Sequence, residues 1–231
     1  MKKNILLIGG SYGIGQGIAQ SLVSQYNVIV ASRTSEDIPE GCTHLTFDAL
    51  NDDPSLLDLP ETIEGLVYCP GSINLKPFRA LKPEAFRQDM EINLFSLVKV
   101  VQAVLPKLKK AENSSLVFFS TVAVGLGMPF HTSVAAAKGA VEGFARALAA
   151  ELAPTIRVNV IAPSLTDTPL AGKLLSTDEK KEKMAQRNPL KQIGQVEDLA
   201  AKAKFLLEES GGWISGQVFH VDGGMSSLKT D

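Results

Sequence analysis

A glycine-rich loop follows the first apolar run of the chain and leads directly into a stretch with helical character. Glycine lets the backbone approach a ligand closely and adopts positive φ without strain. The N-terminus of a helix presents free N–H groups and the positive end of the helix dipole. This order of elements predicts a phosphate-binding site, with a turn that serves packing alone as the alternative. The candidate binding residues are Gly9, Ser11, Tyr12, Gly13, Ile14 and Gly15.

The second apolar run ends in two small hydroxyl residues and one cation, Ser32, Arg33 and Thr34. In a βαβ unit that binds a dinucleotide, an acid at this point accepts hydrogen bonds from a ribose with free hydroxyls. No acid stands here, whereas the Arg33 guanidinium can bind a 2′-phosphate through paired, charge-assisted hydrogen bonds. The pattern therefore predicts NADP(H) rather than NAD(H) as the cofactor. The alternative is that Arg33 is a solvated surface charge.

Short apolar runs alternate with helical stretches along the chain, which is typical of a parallel sheet covered by helices on both faces. We expect an α/β, Rossmann-type, doubly wound fold, a three-layer sandwich around a seven-stranded, mostly parallel sheet. The segment 48–64 has room for one short helix at most. The predicted strands cover residues 4–8, 28–31, 44–47, 65–69, 115–119, 156–161 and 217–221. The predicted helices cover 13–24, 83–109 with one break, 134–152 with Ser133 as N-cap, the charged stretch 168–192, and 197–208.

The composition is that of an ordinary globular protein. The 231 residues suit a single domain over 1–231, and the net charge of −2 offers no basic field for nucleic acid or a membrane surface. Two cysteines indicate a reduced, cytoplasmic protein, and the apolar runs are too short to span a membrane. No Cys/His spacing indicates a metal site. We therefore expect a small-molecule substrate as the partner.

The glycine pattern, with three residues between the first two glycines, resembles that of the short-chain dehydrogenase/reductase family. Further segments resemble family motifs in the same order along the chain, and together they cover nearly all of it. The chain departs from the pattern at Ile8, where the family usually has Thr. The segments that carry the resemblance are 9–15, 48–49, 68–71, 92–94, 159–163, 168–170 and 215–224.

The resemblance implies further roles for residues outside the glycine loop. It implies a mobile substrate lid over 167–192 and a homodimer or homotetramer. The cofactor-binding residues it implies are Asp48, Ala49, Cys69, Gly71, Lys138, Pro163, Leu165 and Thr168. The substrate-wall residues it implies are Ser72, Ile73, Val134 and Leu165.

The same resemblance implies a catalytic group, of which one member is missing. Family members usually carry a Tyr four residues before the lysine that corresponds to Lys138, and a Ser thirteen residues before that Tyr. Val134 and Thr121 stand at these positions, and none of the three tyrosines of the chain falls in register. Asn93 corresponds to the family's Asn that holds an active-site water. Because valine cannot transfer a proton, the usual interconversion of ketones and alcohols is in question.

Three interpretations remain open. His131 lies seven residues before Lys138, the spacing of the tyrosine in the family's enoyl-reductase branch, and imidazole suits proton transfer near neutral pH. Alternatively, hydride addition to a conjugated C=C bond would produce an enolate that Thr121 and a water could stabilise. Both interpretations lead us to expect an NADP(H)-dependent oxidoreductase that reduces a small apolar carbonyl or conjugated C=C substrate. The third is a non-catalytic NADP(H)-binding sensor or assembly protein.

Overall fold

The computed structural model describes residues 2–230, in which seven strands form one sheet with every neighbouring pair parallel. The strand order is β3-β2-β1-β4-β5-β6-β7. The prediction of a seven-stranded Rossmann-type α/β fold is confirmed. Residues 1 and 231 of the predicted domain lie outside the described residues. The strands are β1 Asn4–Ile8, β2 Asn27–Ser32, β3 Thr43–Thr46, β4 Gly65–Tyr68, β5 Ser114–Phe119, β6 Ile156–Pro163 and β7 Val218–Val221.

Helices cover both faces of the sheet. Because successive strand side chains point to opposite faces, Leu6 and Ile8 of β1 join one apolar cluster, while Ile5 and Leu7 join the other. The first cluster is completed by α3 and α4, and the second by α1 and α6. The helices are α1 Gly13–Leu22, α2 Pro83–Met90, α3 Ser96–Lys109, α4 Thr132–Leu152, α5 Asp178–Ala185 and α6 Val196–Leu207.

The strand order changes direction at the neighbouring strands β1 and β4. β2 and β3 lie on one side of β1, whereas β4 and all later strands lie on the other. In open parallel sheets, ligands bind beyond the carboxyl ends of the strands at this switch point. The glycine loop follows β1 and the segment 69–71 follows β4, so both meet at this edge of the sheet.

The structure agrees with the sequence prediction in two helical regions, 83–109 and 48–64, and differs from it over 168–192. The predicted break in 83–109 is a π-helical segment, Glu91–Phe95, which joins α2 to α3. The predicted helix over 168–192 is wrong outside α5, apart from a single 3-10 turn at Pro169–Ala171. The segment 48–64 contains one 3-10 turn, Pro54–Leu56.

None of the helices in residues 2–230 combines the length and apolar character needed to cross a bilayer.

Candidate active site

A cleft of about 980 Å³ opens beyond the carboxyl ends of β1, β2 and β4. It extends from the residues that follow β2 and β3 to the buried side of α2. Most of the predicted binding residues lie on its walls, so the topology brings together segments that are far apart in sequence. The predicted residues that line it are Gly9, Ser11, Tyr12, Gly13, Ile14, Gly15, Ser32, Arg33, Thr34, Asp48, Ala49, Cys69, Gly71, Ser72, Ile73 and Thr168.

The glycine loop forms a backbone cradle at the start of α1. Gly9 and Gly13 have φ of 79° and 57°, in the left-handed region that favours glycine. A Cβ on Gly15 would lie 2.2 Å from the carbonyl oxygen of Gly9, so only glycine fits. Tyr12 is the N-cap of α1 and makes no side-chain cap hydrogen bond. The first N–H groups of the helix therefore remain available to an anion.

Hydroxyl groups and one cation form the wall beyond this cradle. The Ser32 hydroxyl donates to the carbonyl oxygen of Thr34 at 2.8 Å, and the Thr34 hydroxyl donates to the hydroxyl oxygen of Ser11 at 3.1 Å. Arg33 lines the cleft, is exposed, and forms no ion pair with any residue of 2–230. Its guanidinium is therefore free to meet a phosphate that enters this end of the cleft.

Asp48 is held in place beside this wall. Its carboxylate accepts hydrogen bonds from the Leu50 amide at 3.0 Å and the Asn51 side chain at 2.8 Å. These two hydrogen bonds lower the pKa of Asp48 below its ordinary value, and the charge of Arg33 acts in the same direction. The carboxylate therefore stays ionised near neutral pH.

Lys138 of α4 lies beneath the opposite end of the cleft, under Gly71, and not on the cleft wall itself. A Cβ on Gly71 would lie 3.3 Å from Lys138 Nζ and 3.2 Å from Asn93 Oδ1, so the two side chains lie directly beneath this glycine. Lys138 Nζ also donates to the carbonyl oxygen of Phe119 at 2.9 Å. Burial lowers the pKa of Lys138 to about 8, although the neighbouring Cys69 and Asp89 act in the opposite direction. Burial also raises the pKa of the Cys69 thiol to about 12.

Asn93 is positioned by the π-helical segment between α2 and α3. Such segments are rare and recur at functional sites because they change the direction of a side chain within a helix. Asn93 Nδ2 donates to the Asp89 carbonyl oxygen at 2.8 Å and to the Ser72 hydroxyl at 3.1 Å. Its Oδ1 is buried and has no hydrogen-bond partner among residues 2–230. A buried acceptor without a partner, next to an ammonium and a backbone cradle, fits a site that binds a polar ligand such as a nicotinamide dinucleotide.

The sequence interpretation missed Asp89, which lines the same cleft and is 2% exposed. Its carboxylate accepts hydrogen bonds from Ser72 at 2.6 Å and from Ser133 at 2.5 Å. The prediction of Ser133 as N-cap of α4 is wrong, because the helix begins earlier, His131 is the N-cap, and the Ser133 hydroxyl binds this carboxylate. The available signal was spacing, since an acid four residues before Asn93 lies on the same helical face.

Comparisons with known proteins agree with this geometry. A family model described as Enoyl-(Acyl carrier protein) reductase matches residues 56–226. The 3-oxoacyl-(acyl-carrier-protein) reductase FabG of Haemophilus influenzae is 30% identical, over 96% of this chain and 98% of that protein. The chain belongs to the short-chain dehydrogenase/reductase family. The enzymes of this family are oxidoreductases that use nicotinamide cofactors.

Solved short-chain dehydrogenase/reductase structures share the fold closely. A short-chain type dehydrogenase/reductase from Mycobacterium ulcerans has a TM-score of 0.88 at 27% identity, covering 97% of this chain and 90% of that one. A gluconate 5-dehydrogenase from Burkholderia cenocepacia, solved with NADP and tartrate, has a TM-score of 0.89 at 25% identity. That match covers 98% of this chain and 96% of the other.

The remaining predicted residues of this short-chain dehydrogenase/reductase do not line the cleft as the structure describes it over residues 2–230. Val134 is buried one helical turn before Lys138, and Thr121 caps a 3-10 turn directly after β5. His131 Nδ1 lies 2.7 Å from the carbonyl oxygen of Pro129. Pro163 ends β6, and Leu165 follows two residues later.

Proposed function

We propose that this short-chain dehydrogenase/reductase is NADP(H)-dependent and reduces a small apolar carbonyl or conjugated C=C substrate with a proton donor other than tyrosine. The observation that carries the proposal is one continuous cleft, which joins the glycine cradle and Arg33 at one end to Lys138 and Asn93 beneath the other. A binding surface for phosphates and a buried polar floor are the two parts that hydride transfer with a dinucleotide requires.

The choice of NADP(H) rests on the wall beyond the cradle. Ser32 replaces the acid that would bind a ribose with free hydroxyls, and Arg33 has no competing ion pair within residues 2–230. The NADP in the related gluconate 5-dehydrogenase structure supports this choice. When bound, the cofactor supplies or accepts the hydride. Gly9, Gly13 and Gly15 would hold its diphosphate through backbone N–H groups, and Asp48 and Ala49 would border its adenine.

Several residues of this chain would act at the reacting end. Lys138 would bind the nicotinamide ribose with its buried ammonium, while Asn93 would hold a water through the Oδ1 that lacks a partner in the described part of the chain. Thr121 would donate a hydrogen bond to the substrate oxygen. Cys69, Gly71, Pro163, Leu165 and Thr168 would surround the nicotinamide, and Ser72, Ile73, Val134 and Leu165 would form the substrate wall.

The segment 167–192 would act as the lid over the substrate. It follows β6 at the same edge of the sheet as the cleft, and Leu170 within it lines the cleft while remaining 48% exposed. Leu190 is 65% exposed. Apolar side chains that remain exposed in this segment would be covered when an apolar substrate binds.

His131 remains the candidate donor that the resemblance supplied. Its Nδ1 is held by the Pro129 carbonyl oxygen, which leaves Nε2 as the nitrogen that could exchange a proton.

We also expect a homodimer or homotetramer, with one interface formed by α3 and α4 and the other by the segment 218–225. Trp213, fully exposed shortly before β7, offers apolar surface for the second interface.

The test is NADPH oxidation against a panel of ketones and enones, with Lys138→Ala and His131→Ala as variants. The exposed Lys109→Ala serves as the matched control on α3. We expect Lys138→Ala to reduce turnover by roughly 10²-fold or more, since a group of the active site is lost. If Lys138→Ala left turnover unchanged, the assignment of the active site to the region around Lys138 would be contradicted. Tight NADPH binding with no turnover on any substrate would favour the non-catalytic NADP(H)-binding protein.

A further inference from the structure

A buried carboxylate connects α2, α4 and the loop after β4. The two oxygens of Asp89 accept hydrogen bonds from different hydroxyls, Oδ1 from Ser72 and Oδ2 from Ser133. Burying a carboxylate is unfavourable, and apolar side chains of similar volume would join the two helices at lower cost. A carboxylate that is buried and yet borders the cleft is therefore a candidate for chemistry rather than for packing.

Ser72 and Asp89 both line the cleft, but only the Ser72 side chain is half-buried, whereas Asp89 and Ser133 are buried. A hydroxyl has one hydrogen to donate and two positions at which it accepts. The Ser72 hydrogen goes to Asp89, and Asn93 Nδ2 occupies one acceptor position at 3.1 Å. The second acceptor position remains for a donor that enters the cleft. Ser72 follows Gly71, beneath which Lys138 Nζ lies.

We propose that Ser72 is the catalytic residue that exchanges a proton with the substrate oxygen, and that Asp89 acts through it by orienting the hydroxyl and taking up the proton. The inference rests on the proposed function and deepens it. It provides the proton transfer that Val134 cannot perform, and it narrows the substrate class to a carbonyl/alcohol pair. Reduction of a C=C bond would not need this route, because the proton then goes to carbon.

The proton and electrons balance in each direction. In alcohol oxidation, the substrate O–H bond breaks and its proton bonds to Ser72 Oγ, while the former Ser72 hydroxyl proton bonds to Asp89 Oδ1. NADP⁺, when bound, would accept the electron pair of the substrate C–H bond as hydride, so the alcohol would be oxidised to a carbonyl and the cofactor reduced. Asp89 then releases its proton to solvent. In carbonyl reduction, the same transfers run in reverse.

The surroundings hold this pair in place. Ser133 is 1% exposed and its hydroxyl fixes Asp89 Oδ2, so that Oδ1 faces Ser72. Asn93 binds the Asp89 carbonyl oxygen and the Ser72 hydroxyl with one amide group. The Lys138 ammonium on α4 interacts electrostatically with Asp89. The proposed proton-transfer residues, Ser72 and Asp89, therefore lie in the same environment as Lys138.

The experiment compares Asp89→Asn and Ser72→Ala with the wild type. The exposed Glu84→Gln, on the same helix and paired with Arg87, is the matched control. We would first find a carbonyl/alcohol pair that the wild type converts, and then measure kcat and KM for alcohol oxidation with NADP⁺ at one fixed pH. The dissociation constant for NADPH, measured separately by fluorescence, reports whether each variant keeps its fold and its cofactor site.

We expect kcat to fall by roughly 10²- to 10⁴-fold in both variants, with NADPH affinity within about twofold of the wild type. Asp89→Asn keeps the size of the side chain but cannot take up the proton, so kcat should fall while KM stays within about twofold of the wild type. Loss of a purely structural carboxylate would instead raise KM or weaken NADPH binding.

Other outcomes would overturn the inference in distinguishable ways. Wild-type kcat in Ser72→Ala or in Asp89→Asn, or a kcat loss matched by an equal loss of NADPH affinity, would leave Asp89 as a structural contact between α2, α4 and the loop after β4. Turnover of enones alone, unaffected by Asp89→Asn, would reject the carbonyl route while keeping the NADP(H)-dependent reductase. A wild type that binds NADPH but converts no substrate would reject the proposed function, and this inference with it.

Discussion

The two ends of the cleft are built in different ways. The phosphate end is made of backbone, with glycines at positive φ and the N–H groups of α1 within one continuous stretch of chain. The reacting end is made of side chains from the loop after β4, α2, the π-helical segment and α4, among which Ser133 and Asp89 are 44 residues apart. A backbone site is encoded by local spacing, whereas a side-chain site depends on which elements the topology brings together.

Gly15→Ala provides the strongest test of the backbone end. The new Cβ would lie 2.2 Å from the Gly9 carbonyl oxygen and 2.9 Å from Gly10 Cα, and neither backbone atom can move without opening the loop. Charge-assisted hydrogen bonds contribute roughly 1.5–3 kcal/mol each, and several would be lost together. We expect NADPH affinity to fall by more than about 1,000-fold in a fluorescence titration.

The matched control for this change is Gly127→Ala, because a Cβ there meets no atom within 4 Å. Circular dichroism should show that both variants keep their helix content. If Gly15→Ala bound NADPH as tightly as Gly127→Ala, the phosphate site would not depend on the glycine backbone and the contrast between the two ends would fail.

The reacting end carries a charge whose burial opposes folding. Burial lowers the pKa of Lys138 to about 8 in the folded protein, whereas its ordinary value is 10.5. Below pH 8 the lysine is charged in both states, so the folded protein carries the full penalty of about 3 kcal/mol for its burial. Between pH 8 and 10.5 the lysine is neutral only in the folded state. This group's contribution to the free energy of unfolding therefore rises with pH.

Lys138→Met removes this charge while keeping an apolar side chain of similar length. In cofactor-free protein, we expect the variant to exceed the wild type in free energy of unfolding at pH 7 by up to about 3 kcal/mol, reduced by the lost hydrogen bond to Phe119. The gap should narrow as pH rises above 8. Urea unfolding at several pH values measures it, with Lys109→Met as the exposed control. A gap of constant size, or a variant less stable throughout, would contradict the prediction.

The backbone end of the site and the sheet could be predicted from the sequence. Strands of a parallel sheet are buried on both faces, so they stand out as short apolar runs, and the glycine loop lies at the end of the first of them. The pairing of Asn93 with Lys138 was reached only through the family resemblance. Nothing local in the sequence marks the π-helical segment that positions Asn93.

The role of Asp89 and the structure of the charged stretch 168–192 could not be predicted from the sequence. The reasons are physical. Asp89 belongs to a polar helix that also carries Glu84 and Arg87, so it resembles a surface acid until α4 packs against it. Ser133 precedes an apolar run, as a helix cap does, but its hydroxyl serves the carboxylate instead. The stretch 168–192 is rich in charged residues, and the structure forms only one turn and α5 there.

Arg33→Ala tests whether a side chain adds cofactor specificity to the backbone end. Arg33 is exposed and unpaired within residues 2–230, so removing it leaves no buried group without a partner. A lost charge-assisted hydrogen-bond pair to a 2′-phosphate should weaken NADPH binding by roughly 10- to 100-fold. NADH has no 2′-phosphate, so its affinity should stay within about twofold.

The comparison of the two cofactors is the decisive measurement, because it separates phosphate recognition from damage to the cradle. Gly15→Ala should weaken NADPH and NADH alike, since both carry the diphosphate that the loop would bind. Arg33→Ala should weaken NADPH alone, and its exposed counterpart Arg79→Ala should change neither. Equal affinities of the wild type for the two cofactors would instead make Arg33 a solvated charge, and the backbone end would then recognise the diphosphate without selecting between NADP(H) and NAD(H).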